Sequence, residues 1–112
     1  LQVTDAAVPD GFDPKGNDPE AAARAVALLK ALSHVGRLQI LCYLLDRTMC
    51  VSQLSEALHE PQAAVSQQLM RLRAEGFVQA HREGKSVVYG LARHDIVPVI
   101  QSLRQAFCRQ VA

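Results

Sequence analysis

The chain has 112 residues, of which 49% are hydrophobic, and a formal net charge of +1. This length suits one domain with its own core, and no apolar run reaches the roughly 18 residues of a membrane span. The N-terminus lacks the basic start and apolar block of a secretion signal, so we expect a cytosolic protein without a membrane partner. Its three cysteines have no CxxC spacing, which argues against a disulfide scaffold. In a reducing cytosol we expect thiols, and any disulfide would be redox-sensing.

Charge divides the chain into two parts. Residues 1–20 carry five acidic side chains against Lys15 alone, a net charge of −4, whereas the other 92 residues carry eleven basic and six acidic ones, a net charge of +5. The first stretch is also rich in proline and has little that could pack. We therefore predict a flexible acidic arm over residues 1–17 and one mildly basic folded domain over residues 18–112.

Four helices are predicted in the first half of this domain. Asp18 and Pro19 are typical of a helix start, and the helix behind them has one apolar side with Leu28 and another with Leu29. Ser33 is expected to cap a second helix, 34–46, and Ser52 a short third helix, 53–59. The fourth, 61–76, begins at a proline and ends at a glycine.

The period then changes to an alternating one. Residues 77–92 carry the β-branched pair Val87 and Val88 around a central Gly84-Lys85, which predicts a β-hairpin. A last helix follows, with apolar residues at helical spacing from Ile96 to Phe107. Four helices, a hairpin and a helix indicate a mainly α winged helix-turn-helix, ordered α1-α2-α3-α4-β1-β2-α5.

The fourth helix has the composition of a DNA recognition helix. Val65, Leu69 and Leu72 share an inward face, while the opposite face carries small, amide, hydroxyl and arginine side chains that suit the major groove. The hairpin offers further polar side chains, His81 among them, to the phosphate backbone or a minor groove. The candidate DNA-binding residues are Gln62, Ala63, Ser66, Gln67, Arg71, Arg82, Lys85 and Ser86. An ordinary amphipathic helix facing water is the alternative.

Three stretches, "ALSHVGRLQILCYLL", "VSQLSEALHEPQAAVSQQLMRLRAEGFV" and "REGKSVVYGL", resemble the ArsR family of dimeric bacterial repressors. The resemblance runs from about residue 20 to the end. It implies a homodimer built on the first and last helices, which the two-sided first helix supports independently. It also implies a near-palindromic double-stranded operator whose successive major grooves receive two recognition helices.

Metal sites of this family fit the chain poorly. Where the arsenic-type and cadmium-type members have a thiolate cluster, this chain keeps Cys50 but has Ser52 and Ser55, and one thiolate is too few for a soft metal. Along the last helix, His94 and Asp95 are followed by Ala106 and Arg109 at the later zinc-ligand positions. We expect neither a metal nor another cofactor.

The cysteines at 42 and 108 resemble those of the family's persulfide-sensing branch, which includes repressors of the SqrR and BigR type. That resemblance implies that reactive sulfur species link Cys42 and Cys108 by a bridge of sulfur atoms and release the DNA. Leucines around Cys42 predict burial and a raised pKa, whereas Arg104 and Arg109 favour the Cys108 thiolate. We therefore expect Cys108 to react first and Cys42 to resolve. Cys50 is given no sensor role.

Other classes of function stay open. A thiol enzyme would need a histidine base near Cys42 or Cys108, and the four histidines fall in segments assigned to the DNA face or to helix junctions. A winged helix that binds only protein is a second alternative. A third is an ArsR-type repressor that responds to a metal or another inducer, with purely structural cysteines.

Overall fold

The structure is a computed structural model that describes residues 18–107 of the chain. These residues form five helices and a three-stranded antiparallel sheet. The elements are α1 (Pro19–Leu32), α2 (Val35–Leu44), β1 (Met49–Cys50), α3 (Val51–Leu58), α4 (Gln62–Ala74), β2 (Val78–Glu83), β3 (Ser86–Leu91), a 3₁₀ turn (His94–Ile96) and α5 (Val97–Phe107). The winged helix-turn-helix order is confirmed, with an added strand before α3. The predicted arm, 1–17, lies outside the described residues.

The first two helices begin at different kinds of cap. Asp18 accepts a hydrogen bond from the backbone N–H of Ala21 at 3.0 Å, as expected. The prediction that Ser33 caps α2 is wrong, because its hydroxyl donates to the carbonyl of Lys30 at 2.7 Å and closes α1. His34 caps α2 instead, with Nδ1 accepting from the N–H of Gly36 at 3.2 Å.

The start of α3 also differs from the prediction. The helix begins at Val51 with Cys50 at the N-cap position, so Ser52 lies inside its first turn. Cys50 is at the same time the last residue of β1, where it pairs with Val88 of β3. A strand of two residues is too short to show alternation, and the sequence did not predict it.

A single apolar core joins the helices to the sheet. The inward face of α4 is confirmed, since Val65, Leu69 and Leu72 are all buried. They pack in one cluster with Leu28 of α1, Leu41 of α2 and residues of β1, α3, β2 and α5. The larger side chains that complete this cluster are Leu32, Ile40, Leu44, Met49, Leu54, Phe77, Ile96 and Ile100.

The hairpin forms at the predicted place. Strands β2 and β3 pair from Val78↔Leu91 to Glu83↔Ser86, which leaves Gly84 and Lys85 as a two-residue turn. Gly84 has a φ of +62° and Lys85 a negative one, the pattern of a type II′ turn with glycine first. The hairpin extends from the core as a wing.

No single helix within residues 18–107 has the length and hydropathy to cross a membrane. The consecutive pair α1 and α2 is apolar enough by composition, but the two helices bend by 103° at their junction. Both contribute residues to the core described above.

Candidate DNA-binding surface and cysteine sites

The outer face of α4 presents the candidate recognition residues together. Gln62, Ala63, Gln67 and Arg71 are exposed, and Ser66 is half-buried. Met70, which interrupts this polar face, leaves 66% of its surface exposed. Part of this face forms an open surface depression of about 470 Å³ that is lined by Gln67, Gln68, Met70 and Arg71. The arrangement offers amides, an arginine and one apolar side chain to a ligand outside the core.

The wing carries the second group of candidate residues. Arg82, Lys85 and Ser86 are all exposed at or beside its turn. His81 lies 3.2 Å from a carboxylate oxygen of Glu83, so its ring has a partner within the wing. The cationic candidates of the wing are therefore Arg82 and Lys85.

A cleft separates the N-terminal turn of α2 from the recognition helix. It has a volume of about 270 Å³ and is lined on the α2 side by His34, Val35 and Gln39, and on the α4 side by Ala64 and Gln68. Across it, Nε2 of His34 lies 3.5 Å from the Gln68 side-chain amide. Sequence reasoning missed this contact, because nothing in the local pattern joins residues 34 positions apart.

Cys42 lies on the side of α2 that packs against the core, together with Leu38 and Leu45. It is half-buried rather than fully buried, which corrects the sequence-based expectation. Leu41 beside it is completely buried, so the thiol lies at the margin of the core. Cys108, the second candidate sensor residue, lies outside the described residues.

An ion pair joins the end of α2 to α5. Nη1 of Arg104 donates to Oδ2 of Asp46 at 2.9 Å. Asp46 follows Cys42 by four residues, and Arg104 precedes Cys108 by four. The Arg104 charge that was expected to favour the Cys108 thiolate is therefore shared with a carboxylate.

Cys50 lies in an environment that favours its thiolate. Oγ of Ser52 lies 3.2 Å from its sulfur, and the Cys50 N–H donates to Oε1 of Gln53 at 3.0 Å. The hydroxyl of Ser52, followed by the backbone N–H of Gln53, lowers the pKa of the Cys50 thiol, while partial burial opposes the shift. Sequence reasoning left this thiol without a role.

Asp95, one of the two residues aligned with zinc ligands, has another partner. Both carboxylate oxygens of Asp95 accept hydrogen bonds from Arg93, at 2.9 and 2.6 Å, and this guanidinium lowers the pKa of Asp95. Arg93 also lies over the ring of Phe77, 5.3 Å from its centroid. Within residues 18–107 no group of three or more His, Cys, Asp or Glu side chains could hold a metal ion.

Large apolar side chains remain exposed on the first and last helices. On α1, Leu29 is 62% exposed and Val26 is 48% exposed, while Leu28 and Leu32 are buried. On α5, Phe107 is 80% exposed and Val99 is exposed as well. The predicted second apolar side of α1 is thus present and faces away from the core.

Comparisons with known proteins agree with this architecture. Residues 34–80 match the model of a family described as bacterial regulatory protein, arsR family. The transcriptional activator HlyU of Vibrio cholerae is 41% identical over 88 residues, which cover 79% of this chain and 82% of that protein. The structure of reduced HlyU from V. cholerae superposes with a TM-score of 0.78 at 38% identity, covering 84% of this chain and 99% of that one.

A solved repressor gives the same result. The structure of the transcriptional repressor BigR from Xylella fastidiosa matches with a TM-score of 0.77 at 31% identity, covering 88% of this chain and all of that one. Fold, family model and relatives of similar length therefore agree. The chain belongs to the arsR family of bacterial regulatory proteins.

Proposed function

We propose that this protein is a homodimeric repressor in the cytosol that binds near-palindromic operator DNA in its reduced form. Reactive sulfur species release it by linking Cys42 and Cys108 through a sulfur bridge. The observation that carries the switch is the Asp46–Arg104 ion pair, which joins the end of α2 to α5 and lies four residues along the sequence from each cysteine.

DNA binding is supported by the outer face of α4. Gln62, Ser66 and Gln67 have the amide and hydroxyl groups that pair with base edges, and Ala63 permits close approach. Arg71 suits a guanine or a phosphate, whereas Arg82, Lys85 and Ser86 of the wing suit phosphates. The polar face and the wing are both exposed on a domain that has a single apolar core.

The dimer is supported by the exposed apolar residues of α1 and α5. Leaving Leu29 and Phe107 in water costs free energy that a partner's helices would recover. Contact through these helices makes a dimer in which a two-fold axis relates the two copies of α4. Two recognition helices related in this way imply a near-palindromic operator.

The cysteine switch is supported by the position of Cys42. Leu103 of α5 packs against the same core cluster as Cys42, and the Asp46–Arg104 pair joins α5 to the end of α2. Helix axes that pack together lie about 8–10 Å apart, whereas a disulfide needs Cα atoms roughly 4.4–6.8 Å apart. An inserted sulfur atom lengthens the bridge without separating the helices.

Persulfide supplies both the extra sulfur and the oxidising equivalents. The Cys108 thiolate attacks the outer sulfur of a first RSSH, forms a Cys108 persulfide and releases RSH after proton uptake. That persulfide attacks the outer sulfur of a second RSSH and releases a second RSH. The Cys42 thiolate then attacks the middle sulfur and expels HS⁻, so two thiols and two RSSH yield one trisulfide, two RSH and one H₂S.

Bridging changes how α5 can move relative to α2. Because α5 is also a proposed dimer helix, tying it to α2 alters the spacing or freedom of the two recognition helices. Each of those helices has to enter its own major groove. A small change in their spacing therefore lowers the affinity for the operator that the reduced protein binds.

Mass spectrometry and DNA binding test the proposal together. The protein is treated with glutathione persulfide, digested and searched for the Cys42 and Cys108 peptides joined with one added sulfur mass. The operator probe is a duplex that the reduced protein selects from a random library. We expect release of this duplex from wild type and Cys50→Ser, and none from Cys42→Ser or Cys108→Ser.

Two results would overturn parts of this proposal separately. If persulfide also released DNA from both Cys42→Ser and Cys108→Ser, the protein would be a repressor with another inducer and its cysteines would be structural. Failure of the reduced protein to select any duplex would refute DNA binding itself and favour a winged helix that binds protein.

A further inference from the structure

We propose that His34 is a positioning residue for DNA recognition, because its imidazole fixes the orientation of the Gln68 side-chain amide at the edge of the recognition helix. The inference rests on the proposed DNA binding. It adds Gln68 to the DNA-contacting residues and gives the start of α2 a role in aiming it.

The tautomer of His34 follows from the helix cap. Nδ1 accepts the N–H of Gly36 at 3.2 Å, so this nitrogen carries no proton. In a neutral imidazole the proton then lies on Nε2, which becomes a donor. That donor faces the side-chain nitrogen Nε2 of Gln68 across the cleft, 3.5 Å away.

The tautomer of His34 in turn determines the orientation of the Gln68 side-chain amide. Two N–H donors cannot form a hydrogen bond with each other, so Gln68 presents Oε1 to His34 Nε2. The nitrogen and oxygen of such an amide exchange places by a half-turn of the terminal group and are assigned from their partners. This half-turn leaves the NH₂ group of Gln68, with two donors, available to another acceptor.

The position of Gln68 shows which acceptor it can reach. The residue lines the inner cleft with His34 and also the open depression with Met70 and Arg71 on the outer face of α4. It therefore connects the α2 junction to the proposed DNA surface. A phosphate oxygen accepts hydrogen bonds and donates none, so an amide NH₂ held in this orientation is matched to the DNA backbone.

The ring of His34 is held closely enough to act in this way. A Cβ atom on Gly36 would lie 3.3 Å from Cε1 and 3.4 Å from Nδ1 of the imidazole, so a side chain at this position would crowd the ring. Arg37, the nearest basic residue along α2, donates to the carbonyls of Ala31 and Lys30 on α1. The imidazole thus has a defined place between the cap and α4.

Three variants separate positioning from capping. His34→Asn keeps a good N-cap residue but is too short to reach Gln68. Gln68→Leu removes the amide, and Gln39→Leu is the matched control, since Gln39 lines the same cleft from α2 without a hydrogen bond to His34 in the described structure. Dissociation constants are measured by fluorescence anisotropy on the duplex that the wild-type protein selects from a random library.

The expected result is a loss of affinity without a loss of fold. His34→Asn and Gln68→Leu should each weaken binding about three- to tenfold, the range for one hydrogen bond, with a melting temperature near that of wild type for His34→Asn. The double variant should bind no more weakly than Gln68→Leu alone, and Gln39→Leu should bind like wild type. Additive losses in the double variant, or wild-type affinity in His34→Asn, would overturn the inference.

A readout without DNA keeps this inference distinct from the proposed function. Long-range ¹H–¹⁵N spectra of the intact protein should show His34 protonated at Nε2 and unprotonated at Nδ1. The side-chain NH₂ resonances of Gln68 should shift in His34→Asn but not in Gln39→Leu. The opposite tautomer would refute the positioning role even if the protein binds DNA, whereas the expected tautomer without DNA binding would refute only the function.

Discussion

Asp46 and Arg104 form an ion pair with an N–O distance of 2.9 Å between residues 58 positions apart in the sequence. The pair ties the end of α2, the helix that carries Cys42, to α5, whose described part ends at Phe107, one residue before Cys108 in the sequence. Both side chains are partly exposed to solvent, at 66% for Asp46 and 31% for Arg104. Such a pair contributes little to global stability, so its value lies in the register that it gives to α5 along α2.

Removal of this ion pair should slow bridge formation more than it destabilises the protein. For Asp46→Asn and Arg104→Gln we expect a change in the free energy of unfolding below about 1 kcal/mol. We expect the trisulfide to form severalfold more slowly, because the pair no longer holds α5 in place along α2. Persulfide reactions that are quenched at successive times and analysed by mass spectrometry give the rate of trisulfide formation. Urea unfolding gives the free energy of unfolding.

Two controls sharpen this comparison. Arg47→Gln removes a neighbouring exposed arginine that has no ion pair within residues 18–107 and should leave the rate unchanged. The exchange Asp46→Arg with Arg104→Asp restores opposite charges and should recover part of the rate. Equal rates in all of these proteins would show that the ion pair does not position the thiols.

Two adjacent residues of α4 should separate stability from recognition. Leu69 is completely buried, so Leu69→Ala should cost about 2–5 kcal/mol of unfolding free energy by leaving a cavity. Met70 is 66% exposed, so Met70→Ala should leave stability within about 0.5 kcal/mol of wild type. Only Met70→Ala is expected to weaken operator binding while the protein stays fully folded.

The partner expected for Met70 is a thymine methyl group, the apolar feature of the major groove. Replacing thymines by deoxyuridine one at a time in the selected duplex should weaken wild-type binding at one position per half-site. Met70→Ala should be insensitive to the same replacement. Equal sensitivity of both proteins at every position would contradict this contact.

Salt dependence should identify the side chains of the wing that bind phosphate. For B-DNA, the slope of log affinity against log salt becomes shallower by about 0.9 for each phosphate that the protein no longer neutralises. Arg82→Gln and Lys85→Gln should therefore reduce the slope by about that amount per half-site and weaken binding similarly on all sequences. Lys30→Gln changes an exposed lysine on α1, outside the proposed DNA surface, and should leave the slope unchanged. An equal reduction in Lys30→Gln would indicate a nonspecific charge effect.

The elements that the sequence predicted correctly are those determined by local pattern. The inward face of α4, the Asp18 cap and the Gly84-Lys85 turn depend on spacings of a few residues, and all three are confirmed. The outward side of α4 follows from the same periodicity, since the residues that are not on the core face have to point outward.

The features that the sequence missed depend on distant partners. Cys50 adopts an extended conformation and becomes the cap of α3 because β1 pairs with Val88, a residue 38 positions later. His34 displaces Ser33 as the cap of α2 because Gly36 leaves room for its ring. The Asp46–Arg104 pair likewise needs α5 to be folded onto α2, and no local pattern contains that information.

Cys50 should react with alkylating agents at a lower pH than an ordinary thiol. Its pKa is lowered chiefly by the Ser52 hydroxyl, so at a given pH below the usual pKa of about 8.5 a larger fraction is thiolate. The rate of iodoacetamide labelling, measured against pH in a Cys42→Ser and Cys108→Ser background, should have its midpoint below that value. A midpoint at or above about 8.5 would contradict the assignment.

The cause of this shift can be tested with two serines of α3. Ser52→Ala removes the hydroxyl next to the sulfur, so the midpoint should move to higher pH. Ser55 donates to the carbonyl of Glu60 instead, and Ser55→Ala should leave the labelling profile of Cys50 unchanged. Equal shifts in both variants would indicate a general change in the helix start.

Leu29 should be essential for dimer formation and dispensable for the monomer fold. It is 62% exposed on α1, about 100° around the helix from the buried Leu28. Leu29→Lys places a charge in the proposed interface, where desolvation without a partner is costly. Light scattering with size-exclusion chromatography should show a shift from dimer to monomer, with the helical circular dichroism spectrum largely retained.

The matched control places the same charge elsewhere on α1. Glu20 is exposed and lies roughly 180° around the helix from Leu29, so Glu20→Lys should stay dimeric. Because the proposed operator needs two recognition helices on one axis, Leu29→Lys should also lose affinity for the full palindrome far more than for a single half-site. A monomeric wild-type protein, or a Leu29→Lys variant that remains dimeric, would move the interface away from α1 and remove the geometric reason for a palindromic operator.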